Sequence, residues 1–178
     1  MACILYDNDC ENMNRIARKI QSGIREEYPI CNLMTINNID EPTLNSAKCI
    51  IFGCESGMTG VAHTMAAFMD RTRDRFENQS WKNKLAAGFT LNNGANSNRT
   101  IEDLCNFAAR HSMIWISQGH LAENEGRDVF YGSSVTRVNS NKSFLGCITT
   151  IDQADLTAEC FGRRIGQQIN LLLNTIRY

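Results

Sequence analysis

The sequence is organised around Lys48-Cys49-Ile50-Ile51-Phe52-Gly53-Cys54-Glu55-Ser56-Gly57-Met58-Thr59-Gly60. The first half of this stretch is an unbroken apolar run, which is typical of a strand buried on both faces of a sheet. A glycine-containing loop follows, and then an amphipathic helix is predicted near residues 60–76. This order places a ligand outside the carboxyl end of a parallel sheet. Taken alone, the loop fits a plain strand-to-helix connection better than a ligand site. The choice between these two interpretations depends on the rest of the chain.

Composition bounds the class of protein. At 178 residues the chain is predicted to form a single domain over residues 1–178. Its net charge of −1 gives no reason to expect nucleic acid as a partner, and no apolar run is long enough for a membrane span. The start shows no targeting signal. Eight cysteines without a CxxC pair or zinc spacing favour free thiols in a reducing compartment, so we expect a cytoplasmic protein.

Strand-like runs alternate with helical patterns along the chain. The strands are predicted at Ala2 to Tyr6, Ile30 to Ile36, 48–53, Lys84 to Leu91 and Met113 to Ser117, with Phe144 to Ile151 completing or extending the last one. The helices are predicted near residues 12–27, 60–76, 100–110 and 156–175, with one or two further turns through Pro42. The polar segment from Gln118 to Ser143 is predicted to be irregular.

Two local signals refine the predicted helices. Thr100 and Asp103 resemble a capping box, which would start the helix there. Gly162 and Gly166 lie four residues apart, so we expect the last helix to pack closely against the sheet.

The alternation predicts an α/β fold with right-handed crossovers and a parallel sheet covered by helices on both faces. Five strands in a chain of this size favour a three-layer sandwich with the strand order 2-1-3-4-5. In that order the loops after strands one, three and four converge at one edge of the sheet. These are the loops with the most unusual compositions.

The chain resembles the flavodoxin superfamily, and most closely the NAD(P)H:quinone oxidoreductases of the tryptophan-repressor-binding-protein type. The resemblance covers most of the chain and is weaker before Cys49. It rests on Ile50-Ile51-Phe52-Gly53, Met65, Phe68-Met69-Asp70, Thr72, Lys84-Leu85-Ala86, Phe89, Thr100-Ile101, His111, Met113 and Tyr131-Gly132-Ser133. It implies a flavodoxin-like fold and an enzyme that passes a hydride from NAD(P)H to FMN and then to a quinone or another acceptor. It also implies a homodimer or homotetramer whose sites are completed across subunits.

The resemblance assigns FMN to three loops and gives no residue a catalytic acid or base role. The first loop, for the phosphate, is Asn8, Asp9, Cys10, Glu11, Asn12 and Met13; the second is Glu55, Ser56, Gly57 and Met58; the third is Thr90, Leu91, Asn92, Asn93 and Gly94, with Ala95 after it. Arg110 stands where the family places a histidine near the flavin, and Phe76 where an aromatic residue contributes to the substrate pocket.

The first loop departs from the family pattern, which has serine at Asn8, often threonine at Cys10 and glycine at Glu11. Hydroxyl donors are lost, and carboxylates approach the position of the phosphate. Each lost hydrogen bond to a charged group weakens binding by roughly 1.5–3 kcal/mol. The alternative function is therefore a degenerate flavodoxin-fold protein that binds FMN weakly or not at all and acts as a binding or assembly module.

Simpler interpretations remain for several of these residues. Phe76 fits a core residue that closes its helix. The acidic residues of the first loop fit a solvated cluster at the start of a helix, and their spacing does not match a calcium loop, so no metal site is predicted. Cys10 and Cys54 end adjacent strands and are expected to lie close together, either as a redox pair or as two independent small residues.

Overall fold

The computed structural model describes residues 1–7, 11–92, 97–119, 133–136 and 151–175. It contains the strands β1 (Ala2–Tyr6), β2 (Cys31–Thr35), β3 (Cys49–Glu55), β4 (Leu85–Asn92), β5 (Ile114–Trp115) and β6 (Ser133–Thr136). The helices are α1 (Glu11–Glu27), α2 (Glu41–Ser46), α3 (His63–Arg71), α4 (Arg73–Glu77), α5 (Ser97–Arg110) and α6 (Ile151–Thr175).

The strands form a parallel sheet in the order β2-β1-β3-β4-β5, so the predicted order 2-1-3-4-5 is confirmed. Two strands share the fifth position. The first residue of β5, Ile114, pairs with Leu85 at the start of β4, whereas β6 pairs with the last four residues of β4, from Phe89 to Asn92. Both pairings are parallel.

The prediction that Phe144 to Ile151 completes the last strand is wrong at its end, because Ile151 begins α6; residues 144–150 lie outside the described part of the chain. Within the segment predicted to be irregular, Ser133–Thr136 forms β6 instead. A run of two serines, a valine and a threonine carries too little hydrophobic pattern to predict a strand. α6 begins at Ile151, five residues before the predicted start at residue 156.

The helix predicted near residues 60–76 is divided. Its start is displaced to His63 because Gly60 has a φ of +142° and Ser56 forms an antiparallel bridge with Val61. A break at Thr72 separates α3 from α4. The buried Thr72 hydroxyl is 2.7 Å from the Met69 carbonyl, to which it donates, so this side chain competes with the regular helical hydrogen bonds.

The other helices lie where the sequence predicts them, with small differences at their ends. α1 lies within one residue of its prediction at the start, and α5 begins three residues before residue 100. Thr100 therefore lies inside α5 and is not its N-cap, so the capping-box prediction is wrong. In α2, Asp40 is the N-cap and its side chain accepts from the Thr43 N–H at 3.3 Å.

Two separate cores lie on the two faces of the sheet. One joins β1, β3 and β4 to α1 and α6, and the other joins the opposite side of the same strands to α3 and α5. The glycines of α6 pack against α1 and not against the sheet, which corrects that expectation. A Cβ on Gly162 would lie 2.1 Å from the Ile20 carbonyl oxygen, and one on Gly166 would lie 2.7 Å from the Glu27 Cβ.

Candidate functional site

The carboxyl ends of β1, β3 and β4 meet at one edge of the sheet, as expected from the strand order. Tyr6 at the end of β1 pairs with Gly53, and Glu55 at the end of β3 pairs with Leu91. The Asp7 N–H continues this ladder by donating to the Gly53 carbonyl at 3.0 Å. The three loops that the resemblance assigns to FMN therefore start from adjacent strands.

The second loop is a compact turn tied to the end of β4. The Gly57 N–H donates to the Gly60 carbonyl at 2.7 Å, and the Ser56 N–H donates to the Leu91 carbonyl at 3.1 Å. The hydroxyl oxygens of Ser56 and Thr90 are 2.9 Å apart, so the second and third predicted loops share a hydrogen bond. Met58 lies at the tip of this turn with 92% of its surface exposed.

The start of α5 holds this turn from the other side. The buried hydroxyl of Thr100 donates to the Gly60 carbonyl at 2.9 Å. A Cβ on Gly60 would lie 2.0 Å from Asp103 Oδ2, and its positive φ also favours glycine. The sequence identified Thr100 and Asp103 as a cap, but the Thr100 hydroxyl binds the second loop instead, and Asp103 lies next to Gly60 of that loop.

Asp7 is a buried carboxyl at the centre of this edge, with 5% of its surface exposed. Its Oδ2 accepts from the Thr64 hydroxyl at 3.3 Å, and no partner for Oδ1 is found in the described part of the chain. The pKa of Asp7 is raised to about 6: burial is the main cause and the charge of Glu55 adds to it, while hydrogen bonds from the Glu55 N–H and from Thr64 act in the opposite direction. Its place directly after a fully buried strand was the sequence signal for this burial.

The first predicted loop is described only from Glu11 onward. Asn8, Asp9 and Cys10 lie outside the described residues. Glu11, Asn12 and Met13 form the first turn of α1, and the Glu11 side chain is exposed. Met13 is fully buried in the core beneath α1, so its side chain does not face the edge.

The third predicted loop continues β4. Thr90 and Leu91 are buried, and Leu91 belongs to the core shared with α1 and α6. Asn92 is the last residue of β4, whereas Asn93 and Gly94 lie outside the described residues. Among the described residues of this loop, Thr90 contacts the second loop through its hydroxyl.

Phe76 and Arg110 lie together, but far from the three loops. The Arg110 guanidinium is 5.3 Å from the centre of the Phe76 ring. Arg110 ends α5, ten residues after Thr100, which places it about 15 Å away along the helix. Within one chain the structure does not bring this pair to the edge that carries Ser56 and Thr90.

A groove of about 860 Å³ runs from the second loop to this pair, between α3 and α4 on one side and α5 on the other. Val61 and Asp103 line it near the loop, and Phe76, Arg110 and His111 line it at the far end. Thirty-seven per cent of the Phe76 surface is exposed, so this ring closes the groove only in part.

His111 lies at the bottom of the far end and is 2% exposed. Its Nε2 is 3.2 Å from the Thr72 hydroxyl, and its Nδ1 has no partner among the residues that the structure describes. Burial lowers the pKa of His111, and the charges of Arg110 and Arg75 lower it further. The sequence singled out the first residue of the Arg110-His111 pair, but the buried imidazole is the second.

The cysteine and metal predictions fall partly outside the described residues. Cys54 is buried at the end of β3 with a free thiol whose pKa is raised by desolvation, whereas Cys10 is not described, so their proximity stays a prediction. Among the described residues, no group of three or more His, Cys, Asp or Glu is placed to hold a metal ion. No helix in the same residues is long and apolar enough to cross a membrane.

Comparisons with known proteins identify the fold. Neither a family model nor a curated protein matches the sequence. Among solved structures, the chain is similar to a WrbA-like flavodoxin from Agrobacterium tumefaciens, with 20% identity, a TM-score of 0.72, and coverage of 96% of this chain and 97% of that one. It is also similar to an archaeal flavodoxin, with 15% identity, a TM-score of 0.70, and coverage of 95% and 98%. These similarities confirm the flavodoxin-like fold.

Proposed function

We propose that this chain binds a flavin at the carboxyl edge of its sheet and acts as an FMN-dependent NAD(P)H:quinone or flavin oxidoreductase. The hydrogen bond between Ser56 and Thr90 is the observation that supports this most directly, because it joins two of the three loops that hold the cofactor in proteins of the family it resembles. Structural similarity to flavodoxins over nearly the whole chain adds support. A bound flavin would supply the group that accepts and passes on the hydride.

The residues at this edge fit a flavin ring better than they fit its phosphate. The second loop offers a hydroxyl at Ser56 and an exposed apolar side chain at Met58, which can cover one face of a planar ring. The start of α1 offers a helix N-terminus to an anion, but Asp7 and Glu11 bring carboxylates close to it. The protein's own contribution would be to bind and orient the ring, and the hydrogen bonds that hold the second loop support this role.

Phe76 and Arg110 enter this proposal through a second copy of the chain. Because they lie at the far end of the groove, they can contact a flavin only if a neighbouring subunit presents its loops there. We therefore propose a homodimer or homotetramer in which this pair helps to form the pocket for the quinone. Sedimentation velocity tests the assembly. If the protein is a monomer at the concentrations used in activity assays, Phe76 and Arg110 are not part of the site.

The second candidate is a non-catalytic binding module, and the buried carboxyl of Asp7 favours it. A negative charge next to the phosphate position opposes FMN. A protein that retains the fold but not the cofactor would bind neither flavin. A cytoplasmic location is part of both proposals.

Titration of the purified protein with FMN and with riboflavin, monitored by the quenching of flavin fluorescence, tests the proposed flavin site. We expect flavin binding to weaken by several-fold to about tenfold in Ser56→Ala and in Thr90→Val, because either variant removes the hydrogen bond that joins the two loops. Ser46→Ala, an exposed residue at the end of α2, is the matched control and should leave binding unchanged. Flavin-dependent oxidation of NADH or NADPH by a quinone then tests the activity. Absence of binding by both flavins would favour the non-catalytic module.

A further inference from the structure

We propose that Gln21 and Arg25 form a clamp that keeps one edge of the sheet, the strand β2, from pairing with the same edge of a second copy of this chain. Open strand edges pair readily with other strands, and paired edges would join two sheets into one. The inference depends on the backbone geometry of β2 and not on the proposed flavin site.

The strand β2 has a neighbouring strand on one side only, namely β1. In a parallel pair, the backbone groups of alternate residues point to opposite sides of the strand. The Ile36 N–H donates to the Tyr6 carbonyl at 2.9 Å, so the even-numbered residues of this segment face β1. The backbone N–H and C=O groups of the odd-numbered residues therefore point away from the sheet, at Cys31, Leu33 and Thr35.

The clamp occupies the first of these outward carbonyls. The Cys31 carbonyl accepts from Gln21 Nε2 and from Arg25 Nη2, each at 2.8 Å. Gln21 and Arg25 lie four residues apart on α1, so their side chains leave the same face of the helix. A backbone carbonyl oxygen has two lone pairs, and the two donors use both of them. An incoming strand therefore finds no free acceptor at Cys31.

The other end of β2 is covered by the turn that follows it. The Thr35 carbonyl accepts from the Asn38 N–H at 3.0 Å. Between the two covered carbonyls, the N–H and C=O groups of Leu33 have no hydrogen-bond partner in the described part of the chain. With the clamp in place, the free part of the edge is therefore centred on Leu33.

A second copy fits this edge because the edge is self-complementary. In an antiparallel pair centred on Leu33, the two Leu33 residues exchange two hydrogen bonds, and Thr35 of each copy lies opposite Cys31 of the other. The Thr35 N–H of each copy would then donate to the Cys31 carbonyl that the clamp now occupies. Without the clamp, two further hydrogen bonds can form, which corresponds to roughly tenfold tighter association or more.

Sedimentation velocity over a range of protein concentrations tests the clamp, with the assembly of the natural protein as the reference. We expect Gln21→Ala combined with Arg25→Ala to raise the association constant by about tenfold or more. Arg18→Ala combined with Ser22→Ala is the matched control on the same helix, because both residues are exposed and Arg18 bonds to Asn14 of that helix. The control should behave like the natural protein.

A further substitution separates edge pairing from other causes of association. Leu33→Pro removes an N–H that faces outward and makes no bond to β1, and edge strands accept proline at such positions. Added to the clamp variant, Leu33→Pro should return the association constant to that of the natural protein. The proposal is overturned if association stays high with Leu33→Pro, or if it never rises in the clamp variant.

Amide hydrogen exchange gives a second readout that needs no proline variant. As the clamp variant associates, the amides of Cys31, Leu33 and Thr35 should become protected. Those of Asn32 and Met34 face β1 and should be protected at every concentration. Loss of protection at Asn32 and Met34 would mean that the clamp holds β2 in the sheet, and association without new protection at the odd-numbered amides would mean that another surface is used. Either result would overturn the proposal.

Discussion

The two faces of the sheet are built in different ways. On one face α1 and α6 approach so closely that a Cβ on Gly23 would lie 2.0 Å from the Glu159 carbonyl oxygen. Ion pairs between Arg15 and Asp155 and between Lys19 and Glu159 flank this contact. We call this face the glycine seam.

On the other face the helices are held apart by large rings. Phe52, Phe68, Trp81 and Phe107 form a buried cluster with centroid distances of 5.5–6.5 Å, and a groove remains between α3–α4 and α5. We call this face the aromatic face. Of the five buried polar atoms without partners among the described residues, three lie on this face or at its edge, namely Asp7 Oδ1, Trp81 Nε1 and His111 Nδ1; the other two belong to the Gln118 amide, after β5.

The difference between the two faces shows where this fold leaves buried polar atoms without hydrogen bonds. Unpaired buried polar atoms are costly, and they persist in proteins mainly where a function uses them. Two of the three atoms on the aromatic face belong to the buried titratable groups Asp7 and His111, whose pKa values are shifted in opposite directions. The glycine seam brings the second half of α1 into backbone contact with α6, whereas the aromatic face keeps a groove between its helices.

The largest expected effect breaks the glycine seam. Gly23→Ala places a methyl group against the backbone of α6, and we expect a loss of about 3 kcal/mol or more in the free energy of unfolding. Ser22→Ala, an exposed neighbour on the same helix, is the control and should change stability by about 0.5 kcal/mol or less. Urea denaturation of both variants measures this. Equal stability of the two variants would show that α1 and α6 are not in close contact.

A somewhat smaller effect concerns the pH response of the aromatic face at Asp7. The carboxyl titrates near pH 3.8 in the unfolded chain and near 6 in the folded one, so the folded protein binds the proton more tightly. Its contribution to stability is therefore lost as the pH rises from 4 to 6, by about 2–3 kcal/mol. Asp7→Asn should lack this loss in urea denaturation across that range. A variant that follows the natural protein at every pH would contradict the assignment.

His111 should respond in the opposite direction. Burial lowers its pKa in the folded protein, so stability is present above the unfolded value of 6.5 and falls as acid protonates the unfolded chain. His111→Gln should be less sensitive to pH below 6.5, at a cost of about 1 kcal/mol at pH 8 if its hydrogen bond to Thr72 is lost. His63→Gln, at an exposed histidine on α3, is the control variant. Thermal melts between pH 5 and 8 measure both variants.

The smallest effect sharpens the comparison at the rim of the glycine seam. Arg15 and Asp155 form an ion pair that remains partly exposed, with side-chain exposures of 28% and 19%. We expect Arg15→Gln to cost about 0.5–1 kcal/mol, because water screens such pairs. A double-mutant cycle with Asp155→Asn isolates the coupling between them. A coupling several times larger would mean that charge, and not close packing, holds the two helices together.

The sequence predicted the sheet well because buried parallel strands carry their own signal. The apolar runs around Ile4 and Ile51 indicate strands without reference to the rest of the chain. Contacts between distant segments carry no such signal. Gly162 and Gly166 indicated a close approach correctly, but spacing along one helix cannot identify the partner, which is α1.

The site was predictable in outline and not in detail. The predicted strand order implied that the second and third loops lie close together, and the hydrogen bond between Ser56 and Thr90 agrees with this. The place of Asp7 directly after a buried strand indicates its burial, but the contact that Thr64 of α3 makes with it does not appear in local sequence. The aromatic rings that pack around His111 do not appear there either. The separation of Arg110 from the loops follows from the length of α5, because a helix that starts at one edge of the sheet ends at the other.

The glycine seam also has a consequence for the order in which the molecule folds. The ion pairs that flank it join residues 140 positions apart, so closing the seam requires a long and entropically costly loop. The sheet from β1 to β4 can form from much shorter separations. α1 would then reach its final place late, and binding at the proposed flavin site would appear after secondary structure when refolding is followed by circular dichroism and flavin fluorescence.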